Sequence, residues 1–216
     1  MGDTHEILLS PPLRPVAWWP RAMKRHVNAV AEEGESEILA AIARGDRDTA
    51  LRLLMRDYGA AVYRYCRQVV GDGDLADDAH QMTFVQAYEG LARFAGRSSL
   101  RTWLFGIAHH RCLDLLKINR RRQKRFPLAD ELPDRPAPAE TAEERLAGRS
   151  RLSALTQCLR DLAPHVRAAI LLRFQQGVTY EEMANLEGER PATLQARVAR
   201  ALPVLRRCLE RKGEAP

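Results

Sequence analysis

Apolar residues return every three or four positions through most of this chain. Ile38, Leu39 and Ile42 open the pattern, which stops near Gly45. Leu51, Leu54, Met55, Tyr58, Val62, Tyr65 and Val69 carry it on, so the spacing predicts a long amphipathic helix over about Asp48–Val70. Gly71-Asp72-Gly73 breaks that helix, and Asp74 is the expected N-cap of a third, with Asp77 in the capping-box place. The third helix is expected to turn Leu75, Ala79, Met82, Val85 or Ala87, Tyr88 and Leu91 inward. Ser98 or Ser99 caps a fourth, Leu100–Arg122, whose core face is Trp103, Leu104, Ile107, Ala108 and Leu115.

The period resumes after a gap. Leu146, Leu152, Leu155 and Leu159 mark one helix. Pro164 opens the next, which contains Val166, Ile170, Leu171 and Phe174 and ends at Gly177. Thr179 caps a short helix that ends at Gly188, and Pro191 opens the last, with Leu194, Val198, Leu202 and Leu205 as its buried face. Pro203 inside it is expected to kink or weaken one turn. Apolar–polar alternation with period two is missing, so no strand is predicted. The expected fold is all-α, with two small helical domains joined by a flexible linker and a helix-turn-helix in the second. The gap, 126–144, holds Pro127, Pro133, Pro136 and Pro138 among many acids, the composition of a solvated linker. Residues 1–33, with four prolines and the pair Trp18-Trp19, read as an irregular extension. The chain therefore divides into 1–33, a helical domain 34–125, a linker 126–144, and a second helical domain 145–216.

Charge adds a partner to this picture. The 216 residues carry 34 Lys and Arg against 28 Asp and Glu, a net +6 that favours a polyanion. Its clustering says more than its sum. Arg97, Arg101, Arg111, Lys117, Arg120, Arg121, Arg122, Lys124 and Arg125 lie in or beside the fourth helix, accompanied by Phe94, Trp103 and Phe105. Basic groups among aromatics suit melted or single-stranded nucleic acid, although Trp103 is expected in the core. In 179–200, Ala184 stands where two helices cross and Gly188 stands at the turn. Gln195, Arg197 and Arg200 then follow on an outer face, the logic of a helix that enters a major groove. Cys66, Cys112, Cys158 and Cys208 form no CxxC pair and read as reduced, buried thiols of a cytoplasmic protein. No apolar run is long enough to span a bilayer, no secretory apolar region is evident, and no membrane insertion is expected. No glycine-rich phosphate loop or nucleophile elbow is present, and no cofactor or metal is expected.

These motifs, in this order, resemble an alternative bacterial sigma factor of the extracytoplasmic-function (ECF) group. DLADDAHQMTFVQAY (74–88) is similar to the family's acidic segment that docks on the polymerase β′ coiled coil. FAGRSSLRTWLFGIAHHRCLDLLK (94–117) is similar to its promoter-melting and −10-reading segment, and 159–202 to its −35-reading domain. The resemblance implies that Asp77, Asp78, Gln81 and Phe84 bind core RNA polymerase, whose β and β′ subunits are the expected partners, with Phe84 as the anchor. It implies −10 contacts by Arg97, Ser98, Ser99, Arg101, His109, His110, Asp114, Lys117, Arg120 and Arg121. It implies −35 contacts by Arg190, Thr193, Gln195, Ala196, Arg197 and Arg200. Promoter DNA and an anti-sigma factor complete the implied partners, and no catalysis is implied. Two departures matter. His110 stands where the family has Asn, and Glu189-Arg190 stand where it has an aliphatic residue and then Ser, which removes the usual cap. On sequence alone two other readings stay open. One is a helix-turn-helix regulator that binds duplex DNA without polymerase. The other is a helical metalloenzyme using His110 and Asp114, which are i, i+4 neighbours.

Overall fold

The computed structural model describes residues 31–125 and 149–214, and within them the chain forms eight helices and no strand. They are α1 (Ala31–Ala43), α2 (Arg47–Val70), α3 (Gly73–Leu91), α4 (Leu100–Arg125), α5 (Arg149–Arg160), α6 (Pro164–Phe174), α7 (Tyr180–Glu187) and α8 (Pro191–Arg211). The expected linker, nearly all of the expected extension with Trp18 and Trp19, and Leu146 lie outside the described residues.

The helix ends follow local chemistry. Asp46 accepts from the Thr49 amide at 3.0 Å and starts α2, which Gly71 closes at φ 85°, a conformation that costs glycine nothing. The cap of α3 is Asp72, not Asp74: its carboxylate accepts from the Leu75 amide at 2.8 Å. Ser99 is the cap of α4, accepting from the Thr102 amide at 3.0 Å. Thr179 and Glu182 form a complete capping box on α7.

In the first block α2 is the central rod, with α1, α3 and α4 packed along it. Leu54, Val62, Tyr65 and Val69 of α2 meet Leu91 of α3 and Leu100, Leu104 and Phe105 of α4, all fully or nearly fully buried. The inward face of α3 is rotated from the expected one. Met82 and Val85 are 41% and 62% exposed, while Ala76, Ala79, Thr83, Phe84 and Ala87 turn inward. A stripe of small residues lets α3 lie close against α2, and that close fit outweighs the larger apolar side chains. Thr83 is tolerated there because its hydroxyl donates to the Ala79 carbonyl at 2.6 Å.

The second block packs α5, α6, α7 and α8 around Leu155, Leu159, Ile170, Leu171, Met183, Leu194, Val198 and Leu205. Helix α8 continues through Pro203. The cysteines do not share one state. Cys158 of α5 and Cys208 of α8 are joined by a disulfide across 50 positions, contrary to the reduced pair expected, whereas Cys66 and Cys112 are free and buried. The cysteines are far apart in sequence, and only the packing of α5 on α8 brings their Cα atoms to 5.8 Å, within bridging reach.

The two blocks touch along a seam in which α5 and α6 meet α2, and α6 and α7 meet α4. Arg167 is its central residue, 5% exposed. Its guanidinium donates to the Val69 carbonyl at the end of α2 (2.5 Å) and to the Arg160 carbonyl at the end of α5 (3.2 Å). Both are carbonyls that their own helices leave unpaired, so one cation closes two helix ends and answers the negative ends of both dipoles. On the same seam, a Cβ added at Gly106 would lie 2.5 Å from Cδ2 of Leu186, so with alanine there the Leu186 side chain would have to shift.

Two outcomes follow from this packing. Arg167→Met leaves both carbonyls without a partner and is expected to destabilise the protein by about 2–4 kcal/mol in urea unfolding. Reducing the Cys158–Cys208 bridge, or replacing both cysteines with Ser, frees a 50-residue separation and removes up to about 4 kcal/mol, read as a lower Tm.

Candidate nucleic-acid interface

Helix α4 has two working faces. His110, Asp114, Lys117 and Arg121, at i, i+4, i+7 and i+11, form one exposed stripe, with Arg120 exposed beside it. Arg97, exposed, and Ser98, half-buried, lie in the connection that leads into α4, and Ser99 is spent on the cap. At the head of the stripe is an open groove of about 420 Å³, walled by Trp103, Ile107, His110 and Asp114 of α4, Gln86 of α3 and Leu186 of α7. Trp103 is half-buried and stacks edge-on against Phe94, with 5.2 Å between ring centroids, while Phe105 is fully buried against Tyr65.

His109 and Arg101 lie elsewhere. Successive helical residues point about 100° apart, so His109 faces the seam when His110 faces solvent. It is 1% exposed, with Nδ1 3.1 Å from the Tyr65 hydroxyl and Nε2 3.5 Å from Oε1 of Glu187 in α7. A neutral ring lets Tyr65 donate to Nδ1, while Nε2 and Oε1 of Glu187 lie close together without forming a hydrogen bond. Burial, then His110 and Arg197, push its pKa down to about 4, so the nearby carboxylate does not hold it charged. Arg101 donates to Oε1 of Gln176 at 3.0 Å and lies over the Phe105 ring at 5.7 Å. Its neighbour Thr102 donates to Oε1 of Glu182 at 2.9 Å. Both expected −10 contacts, Arg101 and His109, are therefore covered by the second block in this arrangement.

On α8 the residues Thr193, Ala196 and Arg200 share one exposed stripe at i, i+3 and i+7. Arg190 is exposed at the N-cap and makes no side-chain cap bond, as the loss of the usual Ser predicts. Gln195 is half-buried on the opposite flank. Arg197 leaves the expected set. It is turned toward α7 and the turn, donating from Nη1 to Glu187 at 3.1 Å and from Nη2 to both oxygens of Glu189 at 2.7 and 2.6 Å.

The expected protein-docking residues divide in the same way. Asp77, Asp78 and Gln81 are exposed on the outer face of α3. Phe84 is core, 4% exposed and edge-on to the His80 ring at 5.1 Å, so it does not anchor a partner from this position. The exposed apolar residues beside the acids are Met82, expected inward, and Val85, which yields the inward place to its alternative Ala87.

The Sigma-70 region 2 family model matches residues 54–123, which take in most of α2, all of α3 and nearly all of α4. The Sigma-70, region 4 model matches residues 152–202, from α5 into α8. Over 180 residues the chain is 31% identical to a probable RNA polymerase sigma-C factor of Mycobacterium bovis, covering 83% of this chain and 94% of that protein. It is also 31% identical over 180 residues to the ECF RNA polymerase sigma factor SigM of Mycobacterium tuberculosis, covering 82% and 86%.

The chain belongs to the ECF group of sigma factors.

The fold agrees. A Bartonella quintana sigma factor RpoE, solved in complex with the anti-sigma factor NepR, superposes with a TM-score of 0.58 at 22% identity, covering 74% of this chain and 96% of that one. CnrH, solved with the cytosolic domain of CnrY, gives 0.57 at 22% identity, covering 83% and 99%. As a sigma factor the protein binds core RNA polymerase, recognises the −10 and −35 promoter elements and promotes transcription initiation. Its family is one of transcription initiation factors, not of enzymes. Among the described residues no group of three or more His, Cys, Asp or Glu could hold a metal ion, and no helix is long and apolar enough to cross a membrane. Sequence reading of this sigma factor missed Tyr65, Glu187 and Arg167. Each is ordinary in its own helix: Tyr65 becomes informative through His109, 44 positions away, Arg167 through Val69, 98 positions away, and Glu187 through His109 and Arg197.

The neutral, buried His109 carries a pH signature. Its folded pKa, about 4, lies below the ordinary value of 6.5, so its contribution to stability is present above pH 6.5 and is lost as the pH falls from there toward 4. Urea unfolding of the sigma factor followed between pH 7 and pH 4 is expected to lose stability in that window, and His109→Gln is expected to flatten that part of the profile.

Proposed function

We propose that the sigma factor uses three separate surfaces. Asp77, Asp78 and Gln81, with Met82 and Val85 beside them, dock on core polymerase. Carboxylates there suit a basic partner surface, and the two exposed apolar side chains supply the desolvated centre that a carboxylate pair lacks. Arg97, Ser98, His110, Asp114, Lys117, Arg120 and Arg121 form the −10 surface, beside a groove able to receive an unstacked base. Arg190, Thr193, Ala196 and Arg200 face the −35 duplex, with Gln195 at its edge. Residues 34–125 and 145–216 are the two domains, 126–144 is the linker between them, and the chain acts in the cytoplasm without catalysing a reaction.

The observation that supports this reading best is the sorting of charge by helix. The outer face of α3 is acidic at its start, and the outer faces of α4 and α8 are basic. A duplex-binding regulator without polymerase leaves the acidic and apolar face of α3 without a role.

In the described arrangement Arg101 and His109 lie under the second domain, so full use of the −10 surface requires the seam to open. Relatives of this fold have been solved with anti-sigma factors, RpoE with NepR and CnrH with CnrY, the latter as its cytosolic domain. We infer control of this chain by a protein of that kind, which would act by holding the seam closed.

The polymerase assignment has a direct test. Asp77→Arg with Asp78→Arg, both at exposed sites that leave the core intact, is expected to weaken co-purification with core RNA polymerase at least tenfold and to abolish run-off transcription on genomic fragments. A variant that binds core and transcribes like the unsubstituted protein overturns the assignment.

A further inference from the structure

Arg197 lies on the helix assigned to the −35 duplex, yet its side chain is already occupied. Taking the buried axis of α8 through Leu194, Val198, Ala201 and Leu205, Arg197 projects about 60° to one side, and Thr193, Ala196 and Arg200 lie further round on the open face. From that flank it reaches two carboxylates of the same helix-turn-helix. Nη1 donates to Oε2 of Glu187, the last residue of α7, at 3.1 Å. Nη2 donates to both oxygens of Glu189, in the turn, at 2.7 and 2.6 Å. The two terminal nitrogens are the fork that an arginine offers to a phosphate or to a guanine edge, and here both are engaged. Arg197 is 18% exposed, with Glu187 at 11% and Glu189 at 35%, so the group is partly withdrawn from water and its ion pairs are only partly screened. Two carboxylates surround one guanidinium, so the charge of Arg197 is offset within its own group.

We propose that Glu187 and Glu189 form a carboxylate clamp that withholds Arg197 from promoter phosphates, leaving Arg190 and Arg200 as the cations that α8 presents to the −35 element. The clamp rests on the reading of α8 as the −35 helix. All three of its residues belong to α7, the turn and α8, so it travels with the recognition helix when the seam opens and His109 leaves Glu187. Its consequence is specificity. Phosphate contacts add affinity for any sequence, whereas base contacts discriminate. Removing one phosphate-seeking arginine lowers the sequence-independent part of binding and raises the share that depends on Thr193, Gln195 and Ala196. Glu187 and Glu189 are thus positioning residues that act through Arg197.

The test is the salt dependence of DNA binding, which counts phosphate contacts. The full-length protein is titrated onto a fluorescent 30-base-pair mixed-sequence duplex at several KCl concentrations. Arg197→Gln alone is expected to leave the slope of log K against log[KCl] unchanged. Glu187→Gln with Glu189→Gln releases the arginine and is expected to steepen the slope by about 0.9, the value for one added phosphate contact. Adding Arg197→Gln to that pair returns the slope to its starting value. Loss of two negative charges strengthens binding by itself, but it does not make the effect of Arg197→Gln depend on the background, and that dependence is the readout. Should Glu187→Gln loosen the turn, seen as a lower Tm, Glu189→Gln alone frees Nη2 and is expected to steepen the slope by part of that amount, again only while Arg197 is present. The proposal is overturned if Arg197→Gln flattens the slope equally in both backgrounds, or if the neutralised pair leaves the slope unchanged. Arg200→Ala separates the two levels of the claim. It should flatten the slope in every background, and if it has no effect in any of them, the −35 assignment of α8 fails first and takes the clamp with it.

Discussion

One buried guanidinium sets the geometry on which the other features depend. Arg167 arises on α6 but serves the ends of α2 and α5, giving each a partner for a carbonyl that no helix can satisfy internally. A buried arginine needs acceptors for its donors, and the two terminal nitrogens of Arg167 find theirs in different halves of the chain. The contact therefore does more than add area. It ties the second block to the end of α2, and along the same seam Leu186 of α7 packs against Gly106 of α4.

That approach divides α4 between two tasks. The same helix presents His110, Asp114, Lys117 and Arg121 to solvent and commits Arg101 and His109 to the seam. Neighbouring histidines thus have opposite circumstances, one solvated and one nearly sealed, because a helix separates adjacent side chains by about 100°. The seam is polar as well as apolar. Tyr65, His109, Glu187, Arg197 and Glu189 form a chain of polar contacts from the core of the first block to the recognition helix of the second. A joint of this kind is specific when closed. It is also cheaper to separate than an apolar one, since each group can be rehydrated on opening.

The electrostatics of the helix-turn-helix follow from two glutamates. Glu189 occupies the turn between α7 and α8 and places a charge there. The structure shows what the charge is used for: Glu189, with Glu187, neutralises Arg197. The departure at Glu189 is half of a local pairing.

Much of this protein was legible in the order of its residues. The all-α class, the positions of the helices and the glycine stops at Gly71 and Gly188 follow from local rules, namely the 3.6-residue period, side-chain caps and the backbone freedom of glycine. The acidic start of α3 and the basic run of α4 are also local, and with them the family. What tertiary structure alone decided concerns which of several permitted faces is buried. Met82 and Val85 had the right period for a core and Phe84 the right chemistry for an anchor. The close fit of a small-residue stripe on α2 reversed them, because packing depends on the partner's shape as well as on hydrophobicity. Cys158 and Cys208 became a pair, His109 a buried neutral ring and Arg197 an occupied one for the same reason. Each depends on a residue outside its own helix, and a periodicity confined to one helix carries no information about what lies across from it.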